Sequence, residues 1–325
     1  MTKSLPILIL FITHTFVVTT AHTNALDPGL MPYQKVSGEV TGSLKCVGSD
    51  TMNNLVALWA EDFKTFYPSV QEGIEGKGSS SGPPALTEGS SIFSPMSREW
   101  KPSEIDVFKQ KFGYEPTVLL TAIDMVAVYV HKDNPLEKIS LPQIDAIYSK
   151  NRNGGIRSDI RTWGDLGLDG EWKEKPISLY GRNASSGTYG FFKNHALFKG
   201  DFKPTVKEQP GSSSVVKAIS NDRFSIGYCG IGYRTPDVRA VPIAWTTHDQ
   251  AVPVEPVYAY RGEYPLGRFL YISVNHKPGS QLDPLRREFL RYILSADGQA
   301  IVQRDGYLPI TANIVEQAVR KVNLD

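Results

Sequence analysis

Several things are scarce in this chain, and each scarcity excludes something. Cysteine occurs only twice in 325 residues, as Cys46 and Cys229. Two cysteines so far apart give neither a disulfide framework nor a thiolate metal cluster, and the expectation is two buried thiols. Net charge is almost nil: 35 Lys and Arg against 34 Asp and Glu leave +1. A nucleic-acid binder would carry a basic excess, and a membrane-surface protein a polybasic run. Taken alone, the balance also speaks against an anion receptor. Long apolar runs are missing too. The longest candidate, Leu5 to Val18, is interrupted by Thr13, His14 and Thr15 and is short of the roughly 20 residues of a membrane span. Internal repeats and low-complexity linkers are absent. The histidines after the N-terminal segment, at 131, 195, 248 and 276, are scattered without metal-ligand spacing, so neither a metal nor a cofactor is expected.

What is present begins with an address. Residues 1–25 combine Lys3, the short apolar run and small-residue pairs, Thr19/Ala21 and Thr23/Ala25, that suit a signal peptidase. The reading is a cleaved secretory signal rather than an anchor. No cysteine lies near the cut for lipid attachment.

The remaining chain, 41% hydrophobic and 21% charged overall, has the composition of a globular protein and the length of about two domains. Strand and helix patterns alternate. Ser43–Val47 reads as a strand. Met52–Tyr67 reads as a helix whose Leu55, Val56, Trp59, Phe63 and Phe66 share one face, stopped by Pro68. Val118–His131 is a β-rich run too long for a simple half-buried strand. Ile177–Tyr180 is a strand followed by a helix over 187–198, and 224–233 is strand-like. Phe269–Asn275 is a second apolar run, and the tail is helical over 284–294, 298–304 and 312–322. Alternation of this kind predicts an α/β fold with largely parallel sheets. If the runs near 118–131 and 265–275 pass between two domains, the first domain is discontinuous (26–122 plus 265–325) and the second (123–264) is inserted.

Four polar turns carry the chemistry: Gly48-Ser49-Asp50-Thr51, Gly76-Lys77-Gly78-Ser79-Ser80-Ser81-Gly82, Ser94-Pro95-Met96-Ser97-Arg98-Glu99 and Gly181-Arg182-Asn183-Ala184-Ser185-Ser186-Gly187-Thr188. The first and fourth precede good helices. A helix N-terminus offers unpaired N–H donors and the positive end of the dipole, and so holds a tetrahedral oxyanion with few cationic side chains. Hydroxyls add donors, glycine admits close backbone approach, and Arg182 can supply a charge-assisted contact. Any single such turn is more often an ordinary helix cap. Four together point to an anion site.

The strings VGSDTM, LVALWAEDF, GKGSSSGPPAL, SPMSREW, GRNASSGTYGFF, FSIGYCGIGY and ADGQAIVQRDGYLPI, in this order and spacing, resemble the periplasmic phosphate-binding proteins of bacterial phosphate ABC transporters. The resemblance runs from about Ser43 to the C-terminus. It implies a two-lobed periplasmic-binding-protein clamshell, each lobe a mostly parallel sheet flanked by helices, joined by crossover strands. It also implies a monomer in a Gram-negative periplasm that binds inorganic phosphate between the lobes, delivers it to a permease and performs no catalysis. Carried over by position, the binding residues are Ser49, Asp50 and Thr51, then Ser79 and Ser80, then Ser97 with Arg98, and finally Arg182, Ser185, Ser186, Gly187 and Thr188. Some family members have an Asp where Ser97 and Ala184 stand. That leaves Asp50 as the candidate acceptor for the proton that phosphate keeps and sulfate lacks; the alternative role is the cap of the first helix.

Three rival readings are weaker. Gly78-Ser79-Ser80-Ser81-Gly82 matches the G-x-S-x-G nucleophile elbow of a serine hydrolase with Ser80 as nucleophile, but no HGGG-type oxyanion segment precedes it. The stretch around Lys77 fails a P-loop, because Gln71 stands at its first Gly and Gly78 at its Ser/Thr. A receptor that binds sulfate or a phosphate ester, or that signals rather than transports, would share the fold and the site.

Overall fold

The computed structural model describes residues 26–324; the expected signal segment, 1–25, lies outside them. The first part of the chain forms β1 (Gly42–Val47), α1 (Asn53–Phe66), β2 (Val70–Glu75), α2 (Gly82–Glu88), β3 (Phe93–Met96), α3 (Pro102–Phe112) and the 15-residue β4 (Thr117–His131). It continues through β5 (Ile139–Ser140), α4 (Leu141–Tyr148), β6 (Ser178–Arg182), α5 (Gly187–His195), β7 (Lys207–Gln209), α6 (Ser212–Ser220), β8 (Ser225–Gly230), β9 (Val238–Ala240), β10 (Ile243–Ala244) and α7 (Pro256–Tyr260). The last elements are β11 (Gly267–Val274), α8 (Pro284–Leu294), α9 (Ala296–Arg304) and α10 (Ala312–Lys321).

The main sheet runs β2-β1-β3-β11-β4-β8-β6-β7, with β9 also on β4, while β5 and β10 pair separately. Its ends are two blocks of parallel strands, β2-β1-β3 and β8-β6-β7. They hang on opposite halves of β4. Thr117–Met125 pairs antiparallel with β11, and Val126–Val130 pairs antiparallel with β8. The run VLLTAIDMVAVYVH is mostly apolar, with Asp124 its one buried charge, because neighbouring elements cover both of its faces. The sheet is parallel within its two blocks and antiparallel at its centre, where β11 pairs with β3 and with the first half of β4.

Helix α1 buries Leu55, Val56, Trp59 and Phe63 as its spacing predicts. Phe63 sits among the rings of Tyr67, Phe289 and Tyr292, and Trp59 Nε1 donates to the Gly298 carbonyl at 2.8 Å. Helix α5 ends at His195, short of the expected Phe198, because Phe198 and Lys199 take positive φ of 47° and 64°, a conformation that cannot continue a right-handed helix. The strand expected over 224–233 stops at Gly230, and Ile231–Tyr233 turns into a short 3₁₀ helix. Cys46 on β1 and Cys229 on β8 are buried and unbridged, and burial pushes both thiols up. Among the described residues no helix is long and apolar enough to cross a membrane.

Asp305 caps the end of α9 and accepts a hydrogen bond from Asn54 of α1. Burial raises its carboxyl from 3.8 to about 6, with the Asn54 bond opposing the shift. A folded-state value above the unfolded one means that the native state holds the proton more tightly. The stabilisation is complete below pH 3.8 and is lost as pH rises through about 6. Asp305→Asn, which keeps an acceptor for Asn54, is expected to leave the melting temperature unchanged near pH 4 and raise it above pH 6. A melting series showing an equal shift at both ends would contradict this.

Candidate functional site

The polar turns follow the carboxyl ends of β1, β2, β3 and β6, where ligands gather in α/β sheets. Backbone bonds lock them together. Ser49 N donates to the Pro95 carbonyl at 2.8 Å, joining the first and third turns, and Ser80 N donates to the Ser185 carbonyl at 3.1 Å, joining the second and fourth. The first turn is braced from outside by two phenols: Tyr233 donates to the Asp50 carbonyl at 2.9 Å and Tyr307 to the Thr51 carbonyl at 2.7 Å.

Five of the expected residues converge in one hydroxyl cluster. Ser49 Oγ donates to Ser97 Oγ at 2.9 Å, Ser97 Oγ and Ser79 Oγ lie 3.2 Å apart, and Ser97 N donates to Ser79 Oγ at 3.1 Å. Thr51 and Thr188 share a hydroxyl–hydroxyl bond of 2.8 Å. All five are at most 2% exposed. The start of α5 points into them. Ser186 is its N-cap, accepting from Thr188 N at 3.1 Å and Tyr189 N at 3.4 Å. Gly187, the first residue of the helix, approaches so closely that a Cβ there would collide with the hydroxyls of both Ser79 and Ser97.

Asp50 and Arg182 form a second cluster. Arg182 Nη2 lies 3.0 Å from Asp50 Oδ2, Nη1 donates to Ser212 Oγ at 2.7 Å, and Ser212 N donates to Asp50 Oδ2 at 3.0 Å. The helix-cap alternative for Asp50 is therefore wrong: the residue flanking α1 is Met52, with no side-chain cap bond, and the Asp50 carboxylate reaches the start of α6 instead. The Arg182 guanidinium is 1% exposed, and its Nε has no hydrogen-bond partner among the described residues. Such a donor is costly to bury unless a ligand meets it.

Ser80, Arg98 and Ser185 stand outside both clusters. Ser185 Oγ turns back to Asn183 Oδ1 at 2.7 Å. Arg98 is clamped by Glu104 through bonds of 2.7 and 2.9 Å and touches Ser80 Oγ at 3.3 Å. Its charge is thereby paired. Ser80, the residue an elbow nucleophile would occupy, has this Arg98 donor rather than a histidine on its hydroxyl. Gly78, with φ 97° packed on the Ser185 carbonyl, permits the crossing of these two loops.

Sequence reasoning missed a third cluster. Arg268 of β11 and Asp124 of β4 form an ion pair with side chains 3% and 0% exposed. Arg268 donates through Nε and Nη2 to Asp124 Oδ2 at 2.9 and 2.7 Å, through Nη1 to the Ser97 carbonyl at 2.7 Å, and through Nη2 to Thr188 Oγ1 at 2.9 Å. The available signal was a lone charge inside each of two apolar runs, because a buried charge demands a partner. Beside this pair opens a cavity of about 840 Å³ whose lining includes Ser97, Ser186, Arg268, Phe191, His195 and Tyr271. Burial, and then the Arg268 charge, lower the His195 imidazole below its usual range. Among the described residues no three His, Cys, Asp or Glu side chains gather as a metal site. The arrangement instead offers packed hydroxyls, a helix N-terminus and guanidinium donors, which suit a dehydrated oxyanion.

Gly187→Ala tests this packing. The added methyl group has to separate Ser79 and Ser97, so a loss of about 1–3 kcal/mol in urea unfolding is expected; unchanged stability would mean that the close approach is not a feature of the folded protein.

The PBP superfamily domain matches residues 34–297. The phosphate-binding protein PstS of Pseudomonas aeruginosa is 50% identical over 300 residues, covering 92% of this chain and 93% of that protein. PstS of Bacillus subtilis is 28% identical over 319 residues, 96% of each chain. Among solved structures, a putative phosphate ABC transporter substrate-binding protein with bound phosphate from Clostridium perfringens superposes with a TM-score of 0.69 at 25% identity, covering 83% of this chain and 100% of that one. An ABC-type phosphate transport receptor from Vibrio cholerae superposes with a TM-score of 0.63 at 20% identity, covering 82% and 100%, and speaks for the fold.

Proposed function

Because the chain belongs to the PBP superfamily, in the family of the phosphate-binding protein PstS, we propose that it captures inorganic phosphate between two lobes and hands it to the permease of an ABC importer. The observation that carries this reading is the buried convergence of Ser49, Thr51, Ser79, Ser97 and Thr188 on the first turn of α5. The lobes are 26–122 with 265–325 and 123–264, and the hydroxyl cluster then draws Ser49, Thr51, Ser79 and Ser97 from one lobe and Gly187 and Thr188 from the other.

The chemistry is capture without catalysis. Phosphate enters the open cleft and exchanges its water for hydroxyl donors, for the N–H groups of Thr51 and Gly187, and for the Arg182 guanidinium. Closing the lobes around it completes the set. The hydroxyls that bond one another in this structure turn to the anion, and the positive end of the α5 dipole faces it. Asp50 serves as the positioning residue for Arg182: its carboxylate already holds that guanidinium and the start of α6. The closed surface is what the permease reads. Export through the 1–25 signal places the protein, as a monomer, in the periplasm, where the importer faces it.

Calorimetric titration of the chain lacking residues 1–25 tests the reading. Phosphate is expected to bind, and Arg182→Ala to weaken it by about 2 kcal/mol or more, roughly 30-fold, because a desolvated charge-assisted contact is lost. An affinity change below about threefold would remove Arg182 from the site, and no binding of phosphate by the unaltered chain would overturn the function.

A further inference from the structure

We infer that Arg268, tied to Asp124, is the positioning residue that latches the cleft shut, so that it governs how slowly phosphate leaves. The inference rests on the phosphate reading above and assigns a role to two residues outside the expected binding set.

The contacts of the pair are distributed in a way that a merely structural ion pair does not need. Arg268 lies on β11 and Asp124 on β4, at the register point where they face each other. Arg268 grips the Ser97 carbonyl, in the turn after β3, and Thr188 Oγ1, in the first turn of α5. Asp124 Oδ1 accepts from Ile231 N, just after β8, at 3.0 Å. Gly230 packs on the same carboxylate, where a Cβ would sit 3.0 Å from both oxygens. One guanidinium and one carboxylate thus bind turns that belong to both parallel blocks of the sheet. The ring of Phe191, also on α5, covers the guanidinium with its carbon 5.2 Å from the ring centre.

Arginine can only donate, so Thr188 Oγ1 receives the Arg268 N–H through one lone pair. Its second lone pair and its proton remain for Thr51 or for an anion between them. Separating the two lobes would strip Arg268 of the Thr188 bond, the contact it makes across the cleft, while Asp124 keeps its bond from Ile231. That loss opposes opening and acts whether or not the anion touches Arg268. Breaking one partner of a buried, hydrogen-bonded charge pair acts mainly on dissociation.

The test measures phosphate affinity by calorimetry and phosphate release by stopped flow in the unaltered chain, in Asp124→Asn/Arg268→Gln and in Arg268→Lys. The double variant removes both buried charges together and so avoids leaving one unpaired. It is expected to bind phosphate about 30-fold more weakly, with the change in the release rate rather than the association rate and with a melting temperature, in the absence of phosphate, close to that of the unaltered chain. Arg268→Lys keeps the charge without the planar fork and is expected to release phosphate faster than the unaltered chain and more slowly than the double variant. If the double variant fails to fold, Arg268→Lys decides alone: faster release supports the latch, and release at the unaltered rate overturns it. Affinity and release in the double variant within about threefold of the unaltered chain would overturn the latch while leaving the phosphate site standing. An unaltered chain that does not bind phosphate would overturn the site and the latch with it.

Discussion

The constraint on which this structure depends is that charge must be paired wherever water is excluded. An oxyanion site closed off from solvent needs strong donors, yet a bare cation there would be expensive to bury before the anion arrives. The chain resolves this with two guanidinium–carboxylate pairs, Arg182 with Asp50 and Arg268 with Asp124. Beside them lie five hydroxyls bonded in two groups, Ser49–Ser97–Ser79 and Thr51–Thr188. Hydroxyls can both donate and accept, so each group satisfies itself and can turn its protons outward to a ligand.

The sheet explains why these groups meet. Parallel blocks place their turns at the same end of their strands, and each block contributes turns rich in Ser, Thr and Gly. Because β4 carries both blocks on its two halves, the turns after β1, β2 and β3 come to face the turn after β6. The Arg268–Asp124 pair sits at that junction. The antiparallel centre of the sheet is therefore the part that fixes how the two sets of donors face each other.

Much of this was legible in the sequence, for physical reasons that differ by residue. Ser49, Thr51, Ser79, Ser97, Gly187 and Thr188 sit in short hydroxyl- and glycine-rich turns at strand ends, and α1 announced its buried face by spacing. Arg268 and Asp124 were hidden because they lie inside β runs, where pattern reading expects only packing. Asp50 was seen, but its partner was not: pairing with Arg182 and Ser212 joins residues more than 130 positions apart, and no local pattern encodes such a contact. The length of α5 was overestimated because its end is set by backbone conformation at Phe198 and Lys199, residues with no breaker signature. The nearly neutral composition had argued against an anion partner. It excludes a polyanion surface far better than it excludes one small buried anion, which needs oriented dipoles more than net charge.

The most direct measurement is a crystal structure of the protein grown with phosphate. The account predicts tetrahedral density within hydrogen-bond reach of the Ser79 and Ser97 hydroxyls, the Gly187 amide and the Arg182 guanidinium, with the Arg268–Asp124 pair intact behind it. Density held elsewhere, with the hydroxyl cluster still bonded to itself, would contradict it.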